Sequence, residues 1–276
     1  MTGLAQKTIF ISGGSRGIGL TIAVRAAQDG ANVCLIAKTA EPDPRLPGTI
    51  YTAAKEIEAA GGRVLPVVGD IRDEAAVLEA VQRCVELFGG IDICINNASA
   101  INLSGTENLP MKRYDLMQDI NTRGTFVVTK CCIPHLKQAE NPHVLTLSPP
   151  LSLTPKWFAG HVAYTIAKYG MSMCMLGMAE EFREAGVACN ALWPRTIIAT
   201  AAVQNLLGGD AAMARARKPE IMGDAACAIL RRPSRECTGS FFIDDEVLAE
   251  EGITNLSAYR YGDAREEDLA VDLFLD

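Results

Sequence analysis

The sequence predicts an α/β protein: one domain on a doubly wound parallel sheet of about seven strands, with helices on both faces. Three observations lead there. Short apolar, β-rich runs alternate with longer helical stretches along the chain. Several of those runs are continuously apolar, as strands covered on both faces must be. A glycine-rich turn joins the first run to an apolar helix, the point where a parallel sheet receives an anionic ligand.

The expected strands are Thr8–Ser12, Val33–Ala37, Arg63–Val68, Ile91–Asn96, His143–Ser148, Val187–Trp193 and Ser240–Ile243. Between the third and fourth, Asp73 stands as a helix cap. Val77, Val81, Cys84, Val85 and Phe88 recur after it at helical spacing, and Gly89-Gly90 closes the segment. A second helix, Tyr51–Ala60, ends at Gly61-Gly62. Pro42, Pro44 and Pro47 make Lys38–Ile50 a stiff loop rather than an immediate helix. Residues 1–245 are expected to form the main body of the domain. Residues 246–276, acidic and ending Leu273-Phe274-Leu275-Asp276, are expected to form an extension packed on the same domain.

Composition excludes several functions. The 276 residues are 49% hydrophobic and 21% charged, which fits a globular core. A net charge of -7 argues against nucleic acid, whose binding needs a basic face. Neither a signal core nor a membrane-length apolar stretch is read in the sequence. The nine cysteines lack C-x-x-C spacing, and the three histidines are scattered, so no metal site is expected. Buried thiols in a reducing compartment point to a cytoplasmic protein.

The turn reads Ser12-Gly13-Gly14-Ser15-Arg16-Gly17-Ile18-Gly19. Glycines let the backbone approach a pyrophosphate, and the helix start supplies free N–H groups. The second strand ends in Ala37 and Lys38, where an NAD binder carries an acid. Lys38 and Arg16 could each give an adenosine 2′-phosphate a charge-assisted hydrogen bond worth about 1.5–3 kcal/mol. NADP is therefore preferred to NAD, and two solvated surface charges are the alternative.

Tyr164 and Lys168 lie four apart in a helix, on one face. An ammonium beside a phenol draws its pKa toward neutrality. Ser148 ends the fifth strand before Pro149-Pro150, where a hydroxyl would be exposed or simply terminate the strand. Asn121 sits within a helix, unremarkable on a solvated face but informative if buried.

The order of glycine turn, Asn96-Asn97-Ala98, Asn121-Thr122-Arg123-Gly124, strand-end Ser148 and Tyr164-x-x-x-Lys168 resembles the short-chain dehydrogenase/reductase superfamily over the whole chain. Ile36-Ala37-Lys38-Thr39, Leu147-Ser148-Pro149-Pro150, Ala163–Met171 and Ala191-Leu192-Trp193-Pro194 bring it nearest a hydroxysteroid dehydrogenase-like branch. Some relatives there carry a fused sterol-carrier domain, which is not expected here.

The resemblance implies a Rossmann-type fold and hydride transfer between a nicotinamide and a carbonyl or secondary alcohol. It gives Tyr164 the proton, Ser148 the substrate oxygen, and Lys168 the nicotinamide ribose and the tuning of Tyr164. Asn121 would anchor a water linking Lys168 to solvent. Gly13, Ser15, Arg16, Gly17, Ile18, Gly19, Lys38, Asp70, Ile71, Asn97, Ala98, Pro194, Thr196 and Ile197 join Tyr164 and Lys168 as cofactor contacts, with Asp70 and Asn97 at the adenosine half.

The sequence departs from the family pattern at three places. Arg195 follows Pro194 where glycine is usual, restricting the backbone or adding a cation near the diphosphate. Ala199 holds the position of a common cofactor-binding threonine, with Thr196 and Thr200 as substitutes. Ser99 follows Asn-Asn-Ala in place of glycine.

Trp157, Phe158, Val203, Leu206, Leu207, Met213, Ile221 and Met222 form an apolar lid for an apolar or lipid-like substrate, or else pack on the core. Val162, Ile166, Met171, Met173, Met175, Leu176 and Met178 surround the Tyr164 helix on all sides, which implies a homodimer or homotetramer, or core methionines in a monomer. His161 is expected at a rim or on the surface. A cofactor-binding sensor or scaffold on the same fold is the rival reading.

Overall fold

The computed structural model describes residues 3–43 and 46–276, and Pro44 of the proline loop lies outside them. Seven strands, β1 (Thr8–Ser12), β2 (Asn32–Ala37), β3 (Arg63–Val68), β4 (Ile93–Asn96), β5 (His143–Thr146), β6 (Ala188–Trp193) and β7 (Phe241–Ile243), form one sheet in the order β3-β2-β1-β4-β5-β6-β7. Every pair is parallel. The fold is the doubly wound Rossmann-type sheet that the sequence pattern predicts. Pro66 cannot donate to a ladder, and it falls on β3, an edge strand.

Helices cover both faces. Ile9 and Ile11 point to one side, onto α1 (Gly17–Gln28), α2 (Ile50–Ala59) and the later α9 (Glu220–Leu230), and Phe10 points to the other. That second layer is α3 (Glu74–Phe88), α5 (Gly124–Leu136) and α6 (Val162–Glu181). Shorter helices are α4 (Met111–Met117), α7 (Ala201–Leu206), α8 (Gly209–Met213) and α10 (Asp244–Glu250). Asp73 caps α3 by accepting the N–H of Ala75 at 2.9 Å, and Gly89 ends it in the left-handed region.

α6 is not covered all round. Ala163, Tyr164, Ala167, Lys168, Met171, Met175 and Met178 are buried, whereas Val162, Ile166, Met173 and Leu176 are exposed along one stripe. Ile221 and Met222, expected in a lid, are fully buried in α9 against the α1 layer, and Val203 is buried too. Leu206 is exposed at the cleft.

The division expected after residue 245 falls inside α10. The chain then returns across the carboxyl end of the sheet. Val271 pairs with Thr196, Ile197 N–H donates to Ala270 O (3.0 Å) and Asp272 N–H to Arg195 O (3.0 Å).

Asp244 Oδ1 accepts the N–H groups of Arg195 and Asp245, each at 2.8 Å, while its buried Oδ2 has no partner among the described residues. Burial pushes this carboxyl up to about 7. The folded chain therefore holds a proton that the unfolded chain releases from roughly pH 4 upward, so stability falls as pH rises to about 7 and levels off beyond. Asp244→Asn keeps the acceptor and removes the titration. Thermal melts should show the variant gaining on the native chain between about pH 5 and pH 8; melts that stay parallel would exclude this burial cost.

Candidate active site

Where β1 and β4 lie side by side the strand order reverses, and a cleft of about 910 Å³ opens at their carboxyl ends. Gly13, Ser15, Arg16, Gly17, Ile18, Lys38, Asp70, Ile71, Asn97 and Ala98 line it. Gly19 lies beneath, and Pro194, Thr196 and Ile197 are not among its lining residues. Arg113, Leu116, Met117 and Ile120 add a wall that sequence reasoning missed, because no motif marks them.

The glycine turn is as tight as its composition implies. Gly13 and Gly17 take φ of +74° and +56°. A Cβ on Gly13 would sit 2.7 Å from the Ala98 Cα, and one on Gly19 would sit 2.4 Å from Asn97 Nδ2. Asn97 braces this contact: its amide donates to Ser12 O (3.2 Å) and Gly13 O (2.9 Å). Its side chain therefore joins two strands, although the residue also lines the cleft. The α1 N-terminus has no side-chain cap, so its first N–H groups are left for an anion. This cradle fits a dinucleotide.

Both candidate cations have protein partners. Lys38 pairs with Asp70 at 3.0 Å, and Arg72 and Lys38 hold that carboxyl well below its usual range. Arg16 donates to Pro47 O (3.1 Å) and Gly48 O (2.7 Å), tying down the proline loop. Arg195 does not reach toward a diphosphate. Its guanidinium pairs with Asp245 (3.1 Å) and Glu246, and its φ is not in the glycine region.

Asn121, Ser148, Tyr164 and Lys168 are all buried. Lys168 Nζ donates to Leu147 O at 2.8 Å, beside Ser148, and Ser172 Oγ to Pro149 O at 2.6 Å, so α6 is stitched to the end of β5. Asn121 lies in a π-helical turn (Gln118–Arg123) packed on α6, where Thr122 Oγ1 donates to Ala167 O at 3.2 Å. Its amide is committed to Ala100, accepting from N–H at 2.7 Å and donating to the carbonyl at 3.0 Å. A water-linking role would thus fall to its backbone carbonyl.

The expected lowering of the Tyr164 pKa is not found. Burial pushes the phenol above its ordinary value, and Asp272 adds to this. Burial also draws the Lys168 ammonium down to about 7, against the pull of Asp272. Both follow from one cause, since a dry site penalises phenolate and ammonium alike.

The cover is the C-terminal segment. Phe274 packs with Tyr164 (centroids 6.2 Å apart), Tyr169 (5.3 Å), Trp193 (5.9 Å) and Trp157 (6.0 Å). His161, expected at a rim, meets the same ring at 6.3 Å. Phe274 has a φ of +75°, a strained backbone for a bulky residue. Aromatic pairs contribute about 0.5–1.5 kcal/mol each beyond burial, enough together to hold it.

Residues 7–209 match the short chain dehydrogenase family, and the chain belongs to that family. Among its relatives are hydroxysteroid dehydrogenase-like protein 2 of Danio rerio, 59% identical over 273 residues, and that of Homo sapiens, 54% identical. Both alignments cover 99% of this chain but only 65% and 64% of those proteins, so the chain spans less than two thirds of their length. A short chain dehydrogenase from Mycobacterium thermoresistibile is 61% identical with a TM-score of 0.93, covering 99% of this chain and 96% of that one. A chain from Xanthomonas campestris is 57% identical with a TM-score of 0.95 over the whole of both.

Gly19→Ala should lower stability by about 1–3 kcal/mol, because Asn97 cannot move without releasing Ser12 and Gly13. Denaturant unfolding measures this, and an unchanged midpoint would show that the brace can shift freely.

Proposed function

We propose that the protein is an NADP(H)-dependent oxidoreductase that moves a hydride between the nicotinamide and the carbonyl or secondary alcohol carbon of an apolar substrate. The observation that carries this reading is the bond from Lys168, one helical turn from Tyr164, to the carbonyl next to Ser148, with Tyr164 in a buried cluster that shares Met117, Ala100 and Ile101 with a dinucleotide-sized cleft. The nicotinamide supplies or accepts the hydride when bound.

The protein's part is positioning and proton transfer. Gly13, Gly17 and the α1 N-terminus receive the diphosphate, with Ser15, Ile18, Ile71 and Ala98 along the walls. Gly19 permits the close packing below, and Pro194, Thr196 and Ile197 back the nicotinamide end. Ser148 Oγ is buried with no partner among the described residues, a donor free for a substrate oxygen. Tyr164 gives that oxygen its proton, and an oriented hydrogen bond to developing alkoxide charge lowers the barrier. Lys168 restores the proton through the Asn121 turn. Lys38 and Arg16 favour NADP over NAD, since a 2′-phosphate offers more than the carboxylate and carbonyls they now hold.

A homodimer or homotetramer through α6 is part of this reading, supported by the exposed stripe of Val162, Ile166, Met173 and Leu176 with Phe126 nearby in the chain order of α5. A cytoplasmic setting is supported by nine unpaired thiols. Among the described residues no helix is long and apolar enough to cross a membrane. The buried phenol favours the second reading, a cofactor-binding sensor without turnover.

Fluorescence titration with NADPH and NADH tests the cofactor: NADPH should bind more tightly, and neutralising Arg16 and Lys38 should remove the preference. Binding of neither would end the oxidoreductase reading. Tyr164→Phe should abolish ketone reduction and leave NADPH affinity within about twofold. Undiminished turnover would remove Tyr164 from the mechanism, and binding without turnover on any ketone would favour the sensor.

A further inference from the structure

The space beside Tyr164 is full, and its occupant belongs to the chain itself. Phe274 stands among Trp157, Tyr164, Tyr169 and Trp193, with Phe158 edge-on to Tyr169 at 5.6 Å. This aromatic box adjoins the cleft, because Met117, Ala100 and Ile101 belong to both. The catalytic phenol is only 5% exposed beneath it. The ring covers Tyr164 from the side of the box while it remains.

The segment that carries the ring is held by few bonds. Trp193 Nε1 donates to Leu273 O at 2.8 Å, Asp272 N–H to Arg195 O at 3.0 Å, and Ala270 N–H to Arg215 O at 2.9 Å. Beyond Leu273 the packing is apolar apart from an exposed ion pair between Asp276 and Lys156. Withdrawing Leu273–Asp276 breaks no strand of the sheet and relieves the left-handed backbone at Phe274.

We propose that the aromatic box is the subsite for the apolar, ring-bearing body of the substrate, and that Phe274 is its resident occupant, displaced when substrate enters. The inference rests on the oxidoreductase reading for the identity of the ligand. It deepens that reading by naming the shape recognised: a flat or ring-sized apolar group joined to the carbonyl. Small ketones gain little from the box. Ligands with a ring replace Phe274 contact for contact, and their apparent affinity is reduced by the fraction of molecules in which the box is filled.

The test uses the full chain with NADP⁺, which cannot reduce a ketone, and compares 4-phenylcyclohexanone with acetone by calorimetry. Phe274→Ala should bind 4-phenylcyclohexanone at least about tenfold more tightly than the native chain, with acetone unchanged. Phe274→Leu, which refills part of the space, should return most of that gain. A chain ending at Ala270 gives a second route to an emptied box. Trp157 and Trp193 are the chain's two tryptophans and both touch Phe274, so their emission reports the ring directly. Saturating 4-phenylcyclohexanone should move the native emission toward that of Phe274→Ala.

Equal affinity of native and Phe274→Ala chains for 4-phenylcyclohexanone would overturn the proposal, as would a gain shared equally by acetone. The oxidoreductase reading fails differently. With the affinity gain present but no NADPH oxidation by any ketone, even in Phe274→Ala, the box stands as an apolar ligand site and the catalytic reading falls.

Discussion

The carboxyl edge of the sheet depends on how closely two backbones can approach where β1 and β4 run side by side. Asn97 reaches across to the carbonyls of Ser12 and Gly13, while the Ser12 hydroxyl accepts the N–H groups of Asn97 and Ala98 at 3.3 Å each. Only glycine fits at positions 13 and 19 within that weave. The start of α1 is thereby fixed against the end of β4, which opens the cleft and leaves the helix N–H groups pointing into it. The same parallel register carries β5 alongside, so that Leu147 and Pro149 present carbonyls to Lys168 and Ser172. The α6 helix is thus located by the sheet through a short chain of hydrogen bonds.

Burial then sets the electrical character of the site. Lys168 rests over the Trp193 ring at 5.0 Å and donates to a carbonyl, both of which suit an ammonium, yet desolvation outweighs them and draws it down to about 7. The neighbouring Asp272 carboxyl is raised to about 6 by the same dryness. Two titratable groups of this covered pocket, Lys168 and Asp272, thus sit near neutrality, while the same dryness moves the Tyr164 phenol further from it. Their poise is a property of the closed chain rather than of the Tyr-x-x-x-Lys spacing.

Much of this was legible in the sequence. The alternation of apolar runs and helices gave every strand to within two residues, because parallel strands must be apolar on both faces and glycine pairs punctuate the helices. The glycine turn was readable for the steric reason that makes it work. Three things were not. The rings around Phe274 lie on β6, α6 and the Pro155–Trp157 turn, brought together by topology alone, and only the apolar Leu273-Phe274-Leu275 in an acidic tail hinted at them. The rise in the Tyr164 pKa followed from that unseen cover. Arg195 looked like a candidate for the diphosphate until Asp245 and Glu246, fifty residues on, claimed it. Local spacing reveals which groups share a helix face, but the partners of a long cation depend on distant chain.

The thiols bear on how such a protein would age. Eight of the nine cysteines are buried, and burial raises the pKa of Cys131, Cys132, Cys189 and Cys227 among others. The thiolate is the species that attacks peroxides and disulfides, and these sites suppress it, so the buried thiols react slowly while the sheet stays packed. Oxidation of the eight buried thiols would therefore follow unfolding rather than cause it, and sulfenic acid at those positions would mark molecules that have already lost their structure.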